Sequence, residues 1–263
     1  MTHSQAYRTV LIAIAGFLLT AILHTRAAAQ TKDPQVRNIV IVHGAWADGS
    51  SWSRVIPLLQ AKGLHVVAVQ NPLTSLADDV AATKRAIASQ DGPVLLVGHS
   101  YGGAVITEGG NDPKVVGLLY VAAFAPSDGE SVASVSKPFP PAPLGSEVRA
   151  DAEGFLTVTP KGIADAFAQD LPDKEKQVLT ATQGSTAAAV FGATVTTAAW
   201  KTKPSWCVIA TNDRAVPPGL EKAEAAAMRA TSITVPSSHV PMLSHPKEVA
   251  DFIEQAAAKV GSR

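Results

Sequence analysis

From residue 38 onward, continuous apolar runs alternate with segments whose apolar positions recur at helical spacing. Asn38–Val42 is a continuous, β-branched-rich run, the pattern of a strand buried on both faces. Residues 53–62 (SRVIPLLQAK) read as a helix closed by Gly63, and residues 66–69 as a second strand. Ser75 can cap a helix reaching about residue 89, with Leu76, Val80, Thr83 and Ile87 on one face. Asp78 and Asp79 fall in its first turns, where acidic groups suit the helix dipole. Residues 93–97 read as a third strand, 101–108 as the start of a helix, and 115–122 as a fourth strand. The rhythm then breaks between Pro126 and Pro204. Pro138, Pro140, Pro141 and Pro143 crowd one stretch, and helical patterns follow at 161–169 and 173–180. A structureless loop of that length is improbable, so residues 126–203 are expected to form a mainly helical cap insertion. The alternation resumes with a strand at 206–210, an alanine-rich helix at 220–229, a strand at 232–235 and a last helix at 246–259. Pro246 stands near the first position of that helix. The pattern predicts an α/β fold, a mostly parallel sheet covered by helices on both faces.

Length and charge narrow the picture. The chain has 263 residues, 46% of them hydrophobic, which suits one large domain over residues 30–263, with its core in 38–125 and 204–263. Lys plus Arg and Asp plus Glu both number 22. No basic field favours nucleic acid and no polybasic patch favours a membrane surface, so a small neutral substrate is the simpler expectation. The single cysteine, Cys207, excludes an internal disulfide and cysteine-based metal sites; in its apolar run it reads as a small buried hydrophobe. Ahead of the fold, Arg8 precedes an apolar run over 10–23, and Ala27-Ala28-Ala29 supplies small residues for cleavage. This is the pattern of a secretory signal peptide over residues 1–29, cut before Gln30, with an uncleaved anchor as the alternative. The mature protein is therefore expected to be periplasmic or secreted, with no stable membrane span after cleavage.

The chemistry centres on Gly98-His99-Ser100-Tyr101-Gly102, which follows the apolar run Val94-Leu95-Leu96-Val97. Small residues two positions either side of a serine permit a sharp strand-to-helix turn that lifts the hydroxyl clear of the sheet. Ser100 is thus the candidate nucleophile, and Tyr101 N–H a candidate oxyanion donor. A serine hydroxyl needs a base, usually a histidine fixed by a carboxylate. Of the seven histidines, His3 and His24 fall in the leader, His65 begins a strand, and His99 should point away from Ser100. His239 follows the strand at 232–235, at the end of a strand, where sites in open α/β sheets gather; it is favoured over His245, which reads as a helix-start residue. Asp213, just after the strand at 206–210, is the favoured acid, with Asp128 as its rival and a simple turn residue as the bland alternative. In Val42-His43-Gly44-Ala45-Trp46, Gly44 lets the backbone approach closely and Ala45 N–H is the second candidate oxyanion donor. His43 is expected to brace this loop. Trp46 is a candidate substrate-binding residue, with core packing as the equal alternative.

Taken together, VHGAWADGSSW (42–52), GHSYGG (98–103), TNDRAVPP (211–218) and SSHVPMLSHP (237–246) resemble the α/β-hydrolase superfamily. Within it the chain is most similar to the small serine esterases of the plant methylesterase and hydroxynitrile lyase group. The resemblance covers residue 38 to the C-terminus, least distinctively in the cap. It implies an α/β-hydrolase fold and places the family's catalytic histidine on His239 and its acid on Asp213. The lyases carry a lysine directly after that histidine; Val240 stands here, so lyase activity is not expected. Haloalkane dehalogenases and epoxide hydrolases of the fold use an aspartate where Ser100 stands.

The expectation is a carboxylic ester hydrolase that takes a small ester and water through an acyl-enzyme, with no metal or organic cofactor. Hydrolysis of an amide, thioester or C–C bond would use the same groups. A ligand-binding protein without turnover is the alternative of a different class.

Overall fold

The computed structural model describes residues 36–260; the expected signal peptide lies outside them. Six strands form one parallel sheet: β1 (Asn38–Val42), β2 (His65–Val69), β3 (Val94–His99), β4 (Val115–Val121), β8 (Ser205–Ala210) and β9 (Thr231–Val235), in the order β2-β1-β3-β4-β8-β9. The inner strands β1, β3, β4 and β8 are largely apolar and buried because both faces of the sheet are covered there, whereas the edge strands β2 and β9 are partly exposed. Ile39, Ile41, Leu95, Val97, Leu119, Val121, Trp206 and Val208 face one side. Val40, Val42, Leu96, Leu118, Tyr120, Cys207 and Ile209 face the other, as a two-residue period dictates. Each fully buried aliphatic side chain contributes about 1.5–3 kcal/mol relative to exposure.

Helices α1 (Ile56–Ala61) and α7 (Pro246–Val260) cover the first face. Helix α7 buries Val249, Ala250, Ile253, Ala256, Ala257 and Val260, a stripe at helical spacing. Helices α2 (Leu76–Ala88), α3 (Gly102–Gly109) and α6 (Pro218–Ala227) cover the second face. Ser75 caps α2 as expected, its hydroxyl accepting from Asp78 N–H at 3.0 Å, and Leu76, Val80, Thr83 and Ile87 are buried. Asp79 departs from the expectation. It faces inward with them and is fully buried, because it shares their helical face. The helix expected over 53–62 is shorter. A 3-10 turn, Gly49–Trp52, capped by Asp48, precedes that region, residues 53–55 continue as a turn, and α1 begins only at Ile56.

The cap corrects a further expectation. It carries α4 (Val132–Ser136) and α5 (Asp173–Thr182), but it also holds a three-stranded antiparallel sheet of β5 (Val148–Ala150), β6 (Phe155–Val158) and β7 (Thr186–Ala187). These strands are two to four residues long, too short for alternation to register. The pattern at 161–169 becomes a helical turn, Pro160–Gly162, running into a π-helical turn, Ile163–Phe167. At the cap's neck, Gly129 N–H donates to Val195 O and Val195 N–H to Glu130 O, each at 2.8 Å.

The strand order sets the site. The chain runs from β1 out to β2, then returns across β1 to β3, so β1 and β3 diverge at a topological switch point. Val42 and Gly98 are in register, and the loops carrying Ala45 and Ser100 leave the same end of neighbouring strands. Ala210 and Val235 are likewise in register at the end of β8 and β9, just before Asp213 and His239.

Candidate active site

Ser100 lies between β3 and α3 with φ of 53°, a left-handed conformation that costs a non-glycine residue roughly 1–2 kcal/mol. Fixed hydrogen bonds hold it there. Ser100 N–H donates to Val121 O at 3.2 Å, and Ser100 O accepts from Gly103 N–H at 2.9 Å and Phe124 N–H at 3.2 Å. The turn is tight enough to demand glycine beside it. A Cβ on Gly103 would sit 2.1 Å from Phe124 O. Tyr101 points the opposite way, its hydroxyl donating to Asp79 Oδ2 at 2.7 Å. Asp79 Oδ1 accepts from Leu73 N–H at 2.8 Å, which ties the elbow to the start of α2. Burial first, and the Asp79 carboxylate second, keep the Tyr101 phenol protonated far above its ordinary range.

The β1 loop packs directly on the elbow: a Cβ on Gly44 would lie 2.7 Å from Ser100 Cβ. His43 braces this loop, as expected. Its Nε2 accepts from Asn71 N–H at 2.9 Å. Nδ1 therefore carries the proton and donates to Gly44 O at 2.8 Å. Burial lowers the His43 pKa, chiefly by penalising the imidazolium. The Gly44–Ala45 peptide is trans. With its carbonyl held by His43, its N–H points the other way. Neither Ala45 N–H nor Tyr101 N–H donates to another described backbone group. Trp46 joins this loop to the cap: its backbone N–H donates to Thr186 Oγ1 at 3.2 Å, its indole N–H to Leu156 O at 3.0 Å, and its ring lies 5.5 Å from that of Phe191.

At the far side, Asp213 and His239 come together. His239 Nδ1 and Asp213 Oδ2 are 2.6 Å apart and both side chains are buried. Asp213 Oδ1 accepts from Ala215 N–H at 2.7 Å and Val216 N–H at 2.9 Å. Since a carboxylate only accepts, His239 carries its proton on Nδ1 and leaves the Nε2 lone pair free. His99, the neighbour of Ser100, donates from Nε2 to His239 O at 2.8 Å, and the two rings lie 4.7 Å apart. That bond fastens the His239 loop to the elbow. Burial, then the neighbouring His239, holds the His99 pKa well below its usual range. The Phe167 ring closes over His239 from the cap at 5.1 Å.

The rival residues have other work. Asp128 pairs with Lys201 and accepts from Ala198 N–H. His65 bonds Gln90, and His245 stands before α7 facing Glu248. Cys207 is buried without a disulfide, and burial pushes its thiol pKa up. Sequence reading missed three buried acids, Asp79, Glu221 and Glu224. Their signal is a carboxylate at the apolar spacing of a helix: Asp79 beside Leu76, Val80 and Thr83, and Glu221 and Glu224 beside Ala225 and Met228.

A strand-to-helix serine elbow, tied through His99 to the loop of a buried Asp–His pair at the ends of a parallel sheet, coincides with a match over residues 39–252 to the model of the alpha/beta hydrolase family. The chain belongs to the alpha/beta hydrolase family. As an alpha/beta hydrolase it is 28% identical over 247 residues to the alpha/beta hydrolase nvfD of Aspergillus novofumigatus, covering 84% of this chain and 96% of that protein. It is 34% identical over 121 residues to a carbendazim hydrolyzing esterase of Nocardioides sp. (strain SG-4G), over 40% of this chain; this match spans about half, 49%, of that relative's length. The crystal structure of polyneuridine aldehyde esterase superposes on this hydrolase with a TM-score of 0.74 at 18% identity, covering 85% of this chain and 100% of that one, which places the fold beside the esterases that the motifs resemble.

Proposed function

We propose that this hydrolase cleaves small carboxylic esters by a serine mechanism. The observation that carries the reading is the buried His239 Nδ1···Asp213 Oδ2 contact of 2.6 Å, fastened through His99 to the elbow that bears Ser100. Ser100 Oγ attacks the ester carbonyl carbon while His239 Nε2 takes its proton. Asp213 holds the ring in this tautomer and offsets the charge of the imidazolium. Ala45 N–H and Tyr101 N–H hold the oxyanion, and the His43–Gly44 bond keeps the first of them turned the right way before substrate arrives. His239 then protonates the leaving alkoxide, which departs as the alcohol. A water molecule, losing its proton to His239, adds to the acyl carbon; Ser100 leaves with that proton and the carboxylic acid is released. Trp46 and Phe191 supply an aromatic wall between the loop and the cap for the substrate's apolar part. Export behind the N-terminal signal pattern belongs to the same reading.

The test is hydrolysis of short-chain p-nitrophenyl esters by the mature chain and by Ser100→Ala. The variant should fold and lose at least about 10³ in kcat/KM, since nucleophile and base act as a unit. Undiminished turnover by the alanine variant would overturn the mechanism. Tight ester binding without turnover by the unsubstituted protein would favour a ligand-binding role instead.

A further inference from the structure

We infer that Glu221 is a neutral carboxylic acid that donates its O–H to Asp213, a positioning residue behind the proposed Ser100–His239–Asp213 site. The inference rests on the serine reading above for its kinetic consequences alone. Glu221 lies in the first turn of α6 and turns inward against the end of β8, 3% exposed. Its Oε2 accepts from Ala210 N–H at 3.0 Å. Asp213 N–H donates to the carbonyl of the same residue, so both carboxyl groups gather on one strand end. The two carboxyl groups lie against each other, and the buried Glu221 Oε1 has no N–H or O–H donor. Two ionised carboxylates are acceptors only. A bond between them requires a proton on one. Asp213 receives N–H bonds from Ala215, Val216 and His239, whereas Glu221 receives one, so the proton belongs to Glu221. The other ionisable groups around Glu221 work the same way. Glu224 follows one turn on, Cys207 faces both from β8, and no cation pairs with Glu221 among the described residues. Burial first, and Asp213 next, hold the Glu221 carboxyl well above the ordinary range.

The consequence is a donor without a charge. A neutral O–H holds the Asp213 carboxylate against His239 Nδ1. A second anion at that place would hold His239 in its protonated, inactive form toward higher pH.

The experiment uses the full chain with E221Q, E221L and E224Q. Glutamine keeps an acceptor for Ala210 N–H and an N–H donor for Asp213. E221Q should therefore retain kcat within about threefold, with the acid limb of log kcat/KM unmoved. E221L should lose roughly 10- to 100-fold in kcat, the usual worth of a hydrogen bond to a charged group, at unchanged KM, with the acid limb moved to higher pH. Infrared spectra at neutral pH should show a protonated-carboxyl C=O band lost in E221Q and a separate one lost in E224Q. An acid limb that falls by a pH unit or more in E221Q, or no band lost there, means an ionised Glu221 and overturns the inference. So does E221L with an unchanged kcat and profile. If Ser100→Ala retains activity, the serine reading fails while the infrared result still decides the state of Glu221.

Discussion

Asp213→Asn should cost about 10⁴ in kcat, and the reason can be read from the atoms around it. The two carboxylate oxygens differ: Oδ1 accepts from Ala215 and Val216 N–H, Oδ2 from His239 Nδ1. An asparagine keeps its oxygen toward the two backbone donors. Turning it over would set an amide N–H₂ against them and leave two buried N–H groups unsatisfied, at about 1–3 kcal/mol each. The amide nitrogen therefore faces His239 Nδ1, which must become an acceptor, and the ring proton moves to Nε2. A ring protonated at Nε2 cannot take the proton of Ser100. The same inversion in a serine protease costs about 10⁴ in kcat, roughly 5 kcal/mol of barrier. The assay is steady-state kinetics on a short-chain p-nitrophenyl ester, with circular dichroism to establish folding. A folded Asp213→Asn protein within tenfold of the parent would refute both the tautomer argument and the role of Asp213.

Two further outcomes concern stability. Gly103→Ala, whose Cβ would lie 2.1 Å from Phe124 O, should destabilise by about 1–3 kcal/mol or more, while Gly145→Ala, with nothing within 4 Å, should stay within about 0.5 kcal/mol; equal denaturant midpoints would contradict the close approach. The pH dependence has two opposite parts. His43 and His99 have lowered pKa values, so the unfolded chain binds more protons and stability falls as pH drops below about 6.5. Glu224 is the reverse. Burial pushes its carboxyl up to about 8, so its contribution is full below the unfolded value of about 4.3 and is lost as pH rises toward 8, by about 1.4 kcal/mol per unit. Glu224→Gln should flatten that decline in urea titrations between pH 5 and 9, and a curve parallel to the parent would refute it.

The sheet and the two ends of the site are legible in the sequence because their signals are local. An apolar run of five or six residues followed by a glycine-flanked serine, or by an Asp or a His just past the strand, is visible without knowing the neighbours. The cap sheet is not legible, because β7 has two residues and pairs with a strand about thirty positions earlier. Its existence depends on partners rather than on its own pattern. The inward turn of Asp79, Glu221 and Glu224 lies between these cases. Each stands at an apolar spacing, but acidic residues near a helix start read equally well as solvated dipole partners. For Asp79 and Glu221, Tyr101, Ala210 and Asp213 decide the matter, and they arrive by tertiary packing.

The neck of the cap has an evolutionary side. Two backbone bonds tie Val195 to Gly129 and Glu130, so the stretch between Glu130 and Val195 is closed at its base. Backbone hydrogen bonds do not depend on side-chain identity. Lengthening a closed loop twofold costs only about 0.6 kcal/mol. The segment between these residues can therefore be exchanged, trimmed or extended while the ends of β4 and β8 stay where they are. A lineage can thus rework the excursion, Phe167 and Phe191 included, without touching the strand ends that carry Ser100, Asp213 and His239.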